Sequence, residues 1–375
     1  MEPSPRVLIV GAGPYGIAIA QELWHRGVPF DIVGEPFELW HRHTLRTMKL
    51  RSDPRGSEVP SRDRRYDFLK FLRSRNLDDS HKARVPVVPF RDYLREVTDA
   101  LPFDIHRAKV EHLERRGDGF VARCDDGAEL TGRFAVLATG SGAHRHLPEA
   151  LRALPAERVL HSWDTEAIEA LAGQRVLVLG AGQSAAESVE ALADTNRVTW
   201  APRHEPLFFR EPLRLPTPLF KASLAVSSAF YYIPPALLRL FSKAVFRTTV
   251  TPDLRPVWTR DDVETVIADA DGLELRSTDD GIHSGRTGET YDAVVAATGY
   301  RYSLRGLPFL ADTLRSELGD PDAVPTLDRS FQTPAPGVFL VGGIAEGAFG
   351  PAQRFLLGAR HAAPRIARAL QNGAG

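Results

Sequence analysis

The 375-residue chain contains a single cysteine, Cys124. One thiol cannot form a disulfide within the chain, a CxxC redox pair, or a zinc or iron–sulfur site built from several cysteines. Any electrons that this protein moves must therefore be carried by a bound organic cofactor. A lone cysteine is most often a small packing residue rather than a nucleophile, and we expect that role for Cys124.

Net charge and long apolar runs are equally scarce. The formal net charge is −1, so no strong overall field attracts nucleic acid or an anionic membrane. The first apolar run, Val7–Val10, leads directly into a glycine motif, whereas a cleavable signal needs a longer apolar region. We expect a cytoplasmic protein that binds no nucleic acid and does not span a membrane, and its length allows two or three domains.

A first glycine cluster, Gly11–Gly16, follows the short strand predicted at Val7–Val10. The spacing predicts a helix over Ile17–Trp24 and a second strand at Phe30–Val33. In such a strand–turn–helix unit, the glycines permit the tight turn, the approach of a pyrophosphate and close helix packing. An acidic residue about twenty positions on binds ribose hydroxyls, and Glu35 has that place. The unit therefore predicts a dinucleotide site.

A second cluster, Gly180–Ala185, repeats this order between strands predicted at Arg175–Leu179 and Val198–Trp200. No carboxylate ends the second of these strands, and Arg203 follows instead. A carboxylate there would repel a 2′-phosphate, whereas an arginine binds one bidentately. We therefore predict a second dinucleotide site that prefers NADPH over NADH. The alternative is that Arg203 is a solvated loop residue.

Two further predicted strands end in the same tripeptide. Phe134–Ala138 runs into Ala-Thr-Gly at 138–140, and Ala293–Ala297 runs into Ala-Thr-Gly at 297–299. Short strands and glycine turns precede each of them, which predicts two small β-meanders. The predicted fold is α/β with two Rossmann-like domains. Residues 1–155 and 292–375 form the first, and residues 156–291 form the second.

The order of these motifs resembles that of the flavoproteins with two dinucleotide-binding domains, and within them the class B-like flavin-containing and N-hydroxylating monooxygenases. The resemblance rests on Gly11–Gly16, on the GxGxSAxE pattern at Gly180–Glu187 and on the first Ala-Thr-Gly. Residues 292–300 are similar to the D-x-x-x-(L/F)-A-T-G-Y pattern of N-hydroxylating members, with Ala296 replacing Leu or Phe. His161–Trp163 resembles the linker of the wider monooxygenase class.

The resemblance implies FAD in the first site and NADPH in the second. The residues implied for FAD are Gly11, Gly13, Pro14, Tyr15, Gly16, Glu35, Arg42, Met48, Val110, Ala138, Thr139, Gly140 and Gly343. The residues implied for NADPH are Gly180, Gly182, Gln183, Ser184, Arg203, Thr298 and Gly299.

The candidates for contact with the substrate or NADPH are Arg51 and Ser52. They lie in the segment that passes beside the flavin ring in relatives, and the alternative is a surface loop. No metal site is predicted, because no carboxylate or thiol cluster accompanies the histidine pairs at His41, His43, His144 and His146.

The chain departs from the families it resembles in the linker. Where flavin-containing monooxygenases have Phe and Gly before the histidine, this chain has Pro155 and Glu157. Where the Baeyer–Villiger enzymes have Trp after it, this chain has Thr165. The sequence therefore confirms neither subclass.

A second departure follows the last predicted strand, Val338–Val341. Many relatives have Gly-Asp there to bind the flavin ribityl chain, whereas this chain has Gly342-Gly343. We expect residues 347–351 to open the last helix. Its free N–H groups either face the flavin or belong to a plain helix start.

Residues 206–258 form a proline-rich insert whose stretch from 222 to 238 carries no charge. That stretch is too short and too kinked for a membrane-spanning helix. Cations then recur at every fourth position, at Arg239, Lys243 and Arg247, which predicts an amphipathic helix. We expect this helix to cap the active site or to meet a partner. The alternative is association of residues 222–247 with a membrane surface.

From the resemblance we expect an NADPH-dependent flavin monooxygenase. It would transfer one oxygen atom from O2, by way of a flavin hydroperoxide, to a nitrogen or sulfur of a small-molecule substrate. The protein would mainly position the reactants and exclude water. The alternatives are an NAD(P)H-linked flavin reductase or oxidase without oxygen transfer, and a binding or redox-sensing module without turnover. The sequence leaves the oligomeric state open, a homo-oligomer included.

Overall fold

The computed structural model describes residues 6–80, 84–208, 216, 218, 229–234, 237–238, 240, 250–323 and 326–373. The strands in this part of the chain are β1 (Val7–Val10), β2 (Phe30–Val33), β3 (Val110–Arg116), β4 (Gly119–Cys124), β5 (Glu129–Gly132), β6 (Phe134–Leu137), β7 (Val159–His161), β8 (Arg175–Leu179), β9 (Arg197–Ala201), β10 (Val263–Thr265), β11 (Leu275–Thr278), β12 (Gly281–Ser284), β13 (Thr290–Tyr291), β14 (Ala293–Ala296) and β15 (Val338–Leu340).

The helices described are α1 (Pro14–His25), α2 (Glu38–Arg42), α3 (Phe68–Ser74), α4 (Val87–Asp99), α5 (Glu149–Arg152), α6 (Thr165–Glu169), α7 (Gln183–Leu192), α8 (Arg255–Trp258), α9 (Asp312–Leu318), α10 (Glu346–Phe349) and α11 (Ala359–Gly373).

The first sheet is parallel and has the strand order β15–β6–β1–β2. All four residues of β1 are buried, as expected for a central strand covered on both faces. Helix α1 packs against α11, and both helices contribute alanines to the shared core. The strand–turn–helix–strand unit predicted at the amino terminus is confirmed.

The second sheet is also parallel, in the order β10–β9–β8–β14–β7. Strand β14 pairs with β8 and β7, so the predicted boundary at residue 292, which assigns this strand to the first domain, is wrong at this point. The physical reason is the packing of its two faces. Val295 lies in one buried cluster with residues of α7, and Val294 lies in another with Leu177 and Leu179 of β8.

Both predicted β-meanders are present. Strands β3, β4 and β5 form one antiparallel sheet, and β11, β12 and β13 form another. Cys124 ends β4, where it is buried in the first core as a free thiol. The α/β class with two parallel sheets is therefore confirmed.

The last helix begins later than predicted. Gly350, at φ +81°, follows α10, and short helical turns over Pro351–Arg354 and Leu356–Gly358 precede α11. The expectation that residues 347–351 open the last helix is wrong, because the positive φ of Gly350 breaks the helical path there.

Most of the proline-rich insert lies outside the described residues. The predicted amphipathic helix with Arg239, Lys243 and Arg247 falls there, and so does most of the membrane-surface alternative at 222–247. Within the part of the chain that the structure describes, no helix combines the length and apolar character needed to cross a bilayer.

Candidate functional site

The first glycine motif forms a tight turn between β1 and α1. Gly11 has φ +108°, and a Cβ there would overlap the carbonyl oxygen of Ala138. A Cβ on Gly16 would overlap the carbonyl oxygen of Gly11. Gly13, in contrast, has no heavy atom within 4 Å of the place a Cβ would take. Two glycines are thus required by packing, and the third leaves space for a ligand.

The amino end of α1 offers hydrogen-bond donors to that space. Gly13 is the N-cap residue, and as a glycine it has no side chain that could cap these donors. The first N–H groups of a helix have no partner within the helix and favour an anionic group. Gly140, at φ +70°, is likewise open on its side-chain face. The geometry fits a dinucleotide pyrophosphate at this end of the first sheet.

The other residues implied for FAD lie in varied surroundings. Glu35 follows β2 and lies 3.9 Å from the Arg107 guanidinium. Arg42 is exposed, and its carbonyl accepts a hydrogen bond from the Thr165 hydroxyl at 2.9 Å. Val110 is buried at the start of β3. Glu35 and Arg42 therefore make their polar contacts with different segments of the chain.

Tyr15 and Gly343 belong to the packing beneath the first motif. The Tyr15 hydroxyl lies 2.8 Å from the carbonyl oxygen of Gln353 and 3.0 Å from that of Phe355, to which it donates. A Cβ on Gly343 would overlap the ring of Tyr302. The side chain of Tyr15 is therefore committed to the protein, and only its backbone N–H remains for a phosphate.

The second glycine motif repeats the construction of the first. Gly180 has φ +135°, and a Cβ there would overlap the carbonyl oxygen of Ala297. Ala185 takes the place of the third glycine. Its Cβ lies 3.4 Å from the place that a Cβ on Gly180 would take. Gly182 is the N-cap of α7 and makes no side-chain cap. The amino end of α7 therefore also has free donors for an anionic ligand.

The remaining residues implied for NADPH flank this turn. Arg203 is exposed two residues beyond β9. The hydroxyl of Thr298 donates a hydrogen bond to the carbonyl of His146, and the carbonyl of Gly299 accepts one from the His146 N–H at 3.0 Å. The second Ala-Thr-Gly is therefore held by the loop that follows β6, which joins the two sheets.

A cavity of about 270 Å³ brings residues of the two predicted sites together. Met48, Arg51 and Ser52 line one side, and Gln183 and Ser184 line the other. Half of the remaining lining residues are apolar or aromatic: Leu39, Trp40, Leu45, Leu50, Phe90, Tyr300, Phe355 and Leu356. The other half are polar or charged: His43, Thr44, Ser57, Ser162, Thr165, Glu187, Ser188 and Arg354. The segment around Arg51 thus lines a cavity rather than forming a surface loop. Its volume lies near the lower end, about 300 Å³, of the range found for small-molecule sites.

Two charged groups inside this cavity have shifted pKa values. Burial lowers the pKa of Arg51, and the nearby charge of Glu187 opposes that shift. The Arg51 guanidinium also lies 5.3 Å from the centre of the Phe355 ring. Burial raises the pKa of Glu187 to about 7, against the hydrogen bond from Gln183 and the charge of Arg51.

Glu187 was not among the predicted site residues, although it ends the GxGxSAxE pattern. That pattern was the available signal: one helical turn separates Glu187 from Gln183, so both side chains share a face of α7. The Gln183 amide donates to the Glu187 carboxylate at 2.8 Å and to the Thr251 hydroxyl at 3.2 Å. In return it accepts a bond from the Thr251 N–H at 2.9 Å.

The His161–Trp163 linker reaches the same cavity. The ring of His43 stacks on that of Trp163 with the centres 4.1 Å apart, and its Nδ1 lies 2.9 Å from the Trp163 carbonyl oxygen. Ser162 and Tyr300 line the cavity. His43 is therefore part of the contact between the half of the molecule built on the first sheet and the half built on the second. The spacing of the histidines alone did not predict this contact.

A second group of polar side chains lies beside the turn between β4 and β5. Donor atoms of His106, Cys124 and Asp126 all lie within 4.8 Å of one another. Sequence spacing did not predict this group, because His106 precedes β3 whereas Cys124 and Asp126 lie at the turn after β4. His106 Nε2 lies 3.0 Å from Asp126 Oδ2, so an ion pair within the protein accounts for their proximity.

The comparisons with known proteins agree with this architecture. A family model described as pyridine nucleotide-disulphide oxidoreductase matches residues 8–217. A probable indole-3-pyruvate monooxygenase of Arabidopsis thaliana is 29% identical over 200 residues, which are 51% of this chain and 45% of that protein. The chain thus spans about half the length of the first curated relatives that it matches.

Two other relatives extend over nearly the whole chain. The L-ornithine N(5)-monooxygenase of Burkholderia cepacia is 27% identical over 396 residues, which are 89% of this chain and 87% of that protein. An ornithine N-hydroxylase of Kutzneria sp. 744, solved with reduced FAD, NADP+ and L-ornithine, has a TM-score of 0.79 at 19% identity and covers 100% of both chains. The predicted resemblance to this group of monooxygenases is confirmed.

Proposed function

Because the chain belongs to the pyridine nucleotide-disulphide oxidoreductase family, we propose that it is an FAD-dependent monooxygenase that uses NADPH. It transfers one oxygen atom of O2 to a nitrogen or sulfur of a small molecule, and the second oxygen leaves as water. NADPH supplies the two electrons, and a proton from solvent balances the reaction. Bound FAD supplies the chemistry between NADPH and O2.

The observation that carries the proposal is the cavity between the two glycine motifs. Met48 and Arg51 come from the part of the chain that contains the first motif. They line the same cavity as Gln183 and Ser184 of the second motif. A hydride donor and its acceptor must come within contact distance, so the two cofactors have to meet at such a junction. The family's description names disulfide chemistry. This chain has a single cysteine, so it cannot form a redox-active disulfide between two of its own thiols.

The residues then have separate tasks. The open face of Gly13 and the amino end of α1 hold the FAD pyrophosphate, and Glu35 accepts hydrogen bonds from its ribose. The amino end of α7 holds the phosphates of NADPH, and Arg203 pairs with its 2′-phosphate. The apolar and aromatic side chains in the cavity, among them Trp40, Phe90 and Phe355, limit the entry of water, which favours oxygen transfer over release of peroxide.

Ornithine and indole-3-pyruvate appear in the names of relatives, and we propose neither as the substrate of this chain. The substrate is a small molecule that reaches the cavity beside Arg51 and Ser52. Since NADPH is the electron source, we place the enzyme in the cytoplasm. A homo-oligomer is compatible with this function.

The first test is spectroscopic. Purified protein should be yellow, with flavin absorbance that NADPH bleaches and air restores. A protein that takes up no FAD on reconstitution would contradict the proposal. Incubation with candidate amines and sulfides under ¹⁸O₂ then separates the alternatives by mass spectrometry. Incorporated label supports a monooxygenase, whereas peroxide without labelled product identifies a reductase or oxidase.

A further inference from the structure

Glu187 is a buried carboxyl group that the proposed reaction does not use. Its side chain lines the cavity one helical turn from the amino end of α7, and the residue is 8% exposed. That helix end is where the phosphates of a dinucleotide bind in this fold. An ionised carboxylate in the same cavity would repel those phosphates, whereas a protonated one would not.

The hydrogen bonds around Glu187 connect it to the nucleotide motif. Gln183, the first residue of α7, donates to the carboxylate through its Nε2 at 2.8 Å. Both atoms of the same amide also bind Thr251, which fixes the direction of the Nε2–H bonds. A change in the charge of Glu187 therefore alters its hydrogen bond with Gln183, which lies at the helix end that faces the ligand.

The charged groups around Glu187 come from several elements. Arg51 and Arg84 approach from the first half of the chain and favour its ionised form, whereas Glu190 on the same helix opposes it. The charge of Arg84 is partly neutralised by Asp253 at 3.5 Å, which also lies 3.8 Å from Lys49. His43, Tyr300 and Arg354 are the other titratable residues that line the cavity.

We propose that Glu187 is a positioning residue that couples uptake of one proton to the binding of NADP(H) at the amino end of α7. The carboxyl is neutral when the dinucleotide is bound, and Gln183 then holds the helix end in its binding geometry. In the free enzyme, Arg51 stabilises the ionised form. The inference rests on the proposed function, since it requires NADP(H) at the second glycine motif.

Linkage fixes the sign of the effect. Burial raises the pKa of Glu187 to about 7 in the free protein, and an anionic ligand raises it further. Binding near pH 7.5 therefore takes up protons, and affinity falls as pH rises through this range. We expect the dissociation constant of NADP+ to be at least about fivefold higher at pH 8.5 than at pH 6.5.

The experiment is calorimetric titration of the FAD-loaded protein with NADP+ between pH 6.0 and 9.0, in buffers of different ionisation enthalpy. The heats give both the affinity and the number of protons exchanged. Glu187→Gln keeps the shape and removes the charge, so it should bind with the wild-type affinity measured at pH 6.5 and lose the proton uptake. Glu190→Gln, on the same helix, is the matched control and should keep it.

Titration of the nucleotide's own 2′-phosphate is common to the wild type, Glu187→Gln and Glu190→Gln, so only the difference among these three proteins is assigned to Glu187. Arg203→Ala should weaken binding, and between pH 7.5 and 9.0, where the 2′-phosphate is fully ionised, it should keep the proton uptake of the wild type. Proton uptake by Glu187→Gln equal to that of the wild type would overturn the inference but leave the proposed function intact. Should Glu187→Gln not fold, absence of proton uptake in the wild type overturns it equally. Absence of NADP+ binding at every pH would instead contradict the proposed function.

Discussion

At the residue scale, the three glycines of the first motif do different work. Gly11 and Gly16 are pressed against backbone carbonyls, so the fold itself excludes a side chain there. Gly13 has an ordinary φ of −77° and open space in front of it. The sequence pattern predicts three glycines alike, and only the packing distinguishes those needed for folding from the one needed for a ligand.

A pair of matched substitutions tests this distinction. Gly13→Ala should leave the melting temperature of the apoprotein nearly unchanged and weaken FAD binding, because the methyl group enters only the ligand's space. Gly16→Ala should destabilise the apoprotein by roughly 1–3 kcal/mol or more, since its methyl group overlaps the carbonyl oxygen of Gly11. Thermal unfolding of the apoproteins and fluorescence titration with FAD measure both effects.

Equal melting temperatures for the two variants would contradict the assigned roles. So would a Gly13→Ala variant that binds FAD as tightly as the wild type. Gly127→Ala serves as the control, because this positive-φ glycine lies in the turn of the first meander and should affect stability without affecting FAD affinity.

At the element scale, local sequence predicted most strands but not every pairing. The tripeptide after β6 and the tripeptide after β14 are identical, and each alanine carbonyl covers the first glycine of a nucleotide motif. Local pattern therefore establishes two equivalent strands. It does not say which sheet each joins, because that depends on long-range packing such as that of Val294 and Val295.

The contacts within the cavity were beyond sequence reasoning for a related reason. Gln183 and Glu187 share a helix face and could be paired from their spacing, but the bonds to Thr251 join positions 68 residues apart. The late start of α11 follows from Gly350, whose positive φ becomes apparent only in the folded chain. The sequence thus predicts the nucleotide turns well and the cavity between them only in outline.

Tyr15 links the first motif to the segment before the last helix, which permits a test at this scale. Tyr15→Phe removes the donor to the carbonyls of Gln353 and Phe355 and should cost about 1–2 kcal/mol of unfolding free energy. Because Phe355 lines the cavity, FAD retention should also fall. Urea unfolding and the flavin content after gel filtration measure the two effects.

Tyr66→Phe is the matched control, since Tyr66 is buried and donates to the carbonyl of Ala100 at 3.1 Å in another part of the fold. It should lose a similar stability and retain FAD normally. If Tyr15→Phe retains FAD and unfolds like the wild type, the link between the first motif and residues 353–355 has no energetic role.

At the scale of the whole molecule, the two halves meet through a few short segments. His43 stacks on Trp163, Arg46 bonds Glu169 through its backbone N–H at 2.6 Å, and the loop after β6 holds the second Ala-Thr-Gly. The cavity forms where these segments meet. We call this set of contacts between the two halves the joint. The geometry of the cavity depends on the stability of the joint, so a change in pH that weakens the joint should also change the cavity.

His144 lies in this joint and gives it a pH dependence. It is 3% exposed, its carbonyl accepts a hydrogen bond from the Arg301 N–H, and burial lowers its pKa to about 4. In the unfolded chain the pKa returns to about 6.5. Between these values the unfolded state binds a proton that the folded state does not, so stability is full above pH 6.5 and falls as the pH approaches 4.

The loss from His144 alone should reach about 2 kcal/mol at pH 5.0 relative to pH 7.0, from a shift of 1.36 kcal/mol per pKa unit. Urea unfolding at the two pH values measures it, and His144→Gln should reduce the difference by that amount because glutamine does not titrate. Carboxyl groups that titrate in the same range contribute equally to both proteins and cancel. His25→Gln, which removes an exposed imidazole, should leave the difference near the wild-type value. A His144→Gln variant with the wild-type pH dependence would show that protonation of this residue does not govern the joint, and the acid sensitivity would then have to arise from other groups between the halves.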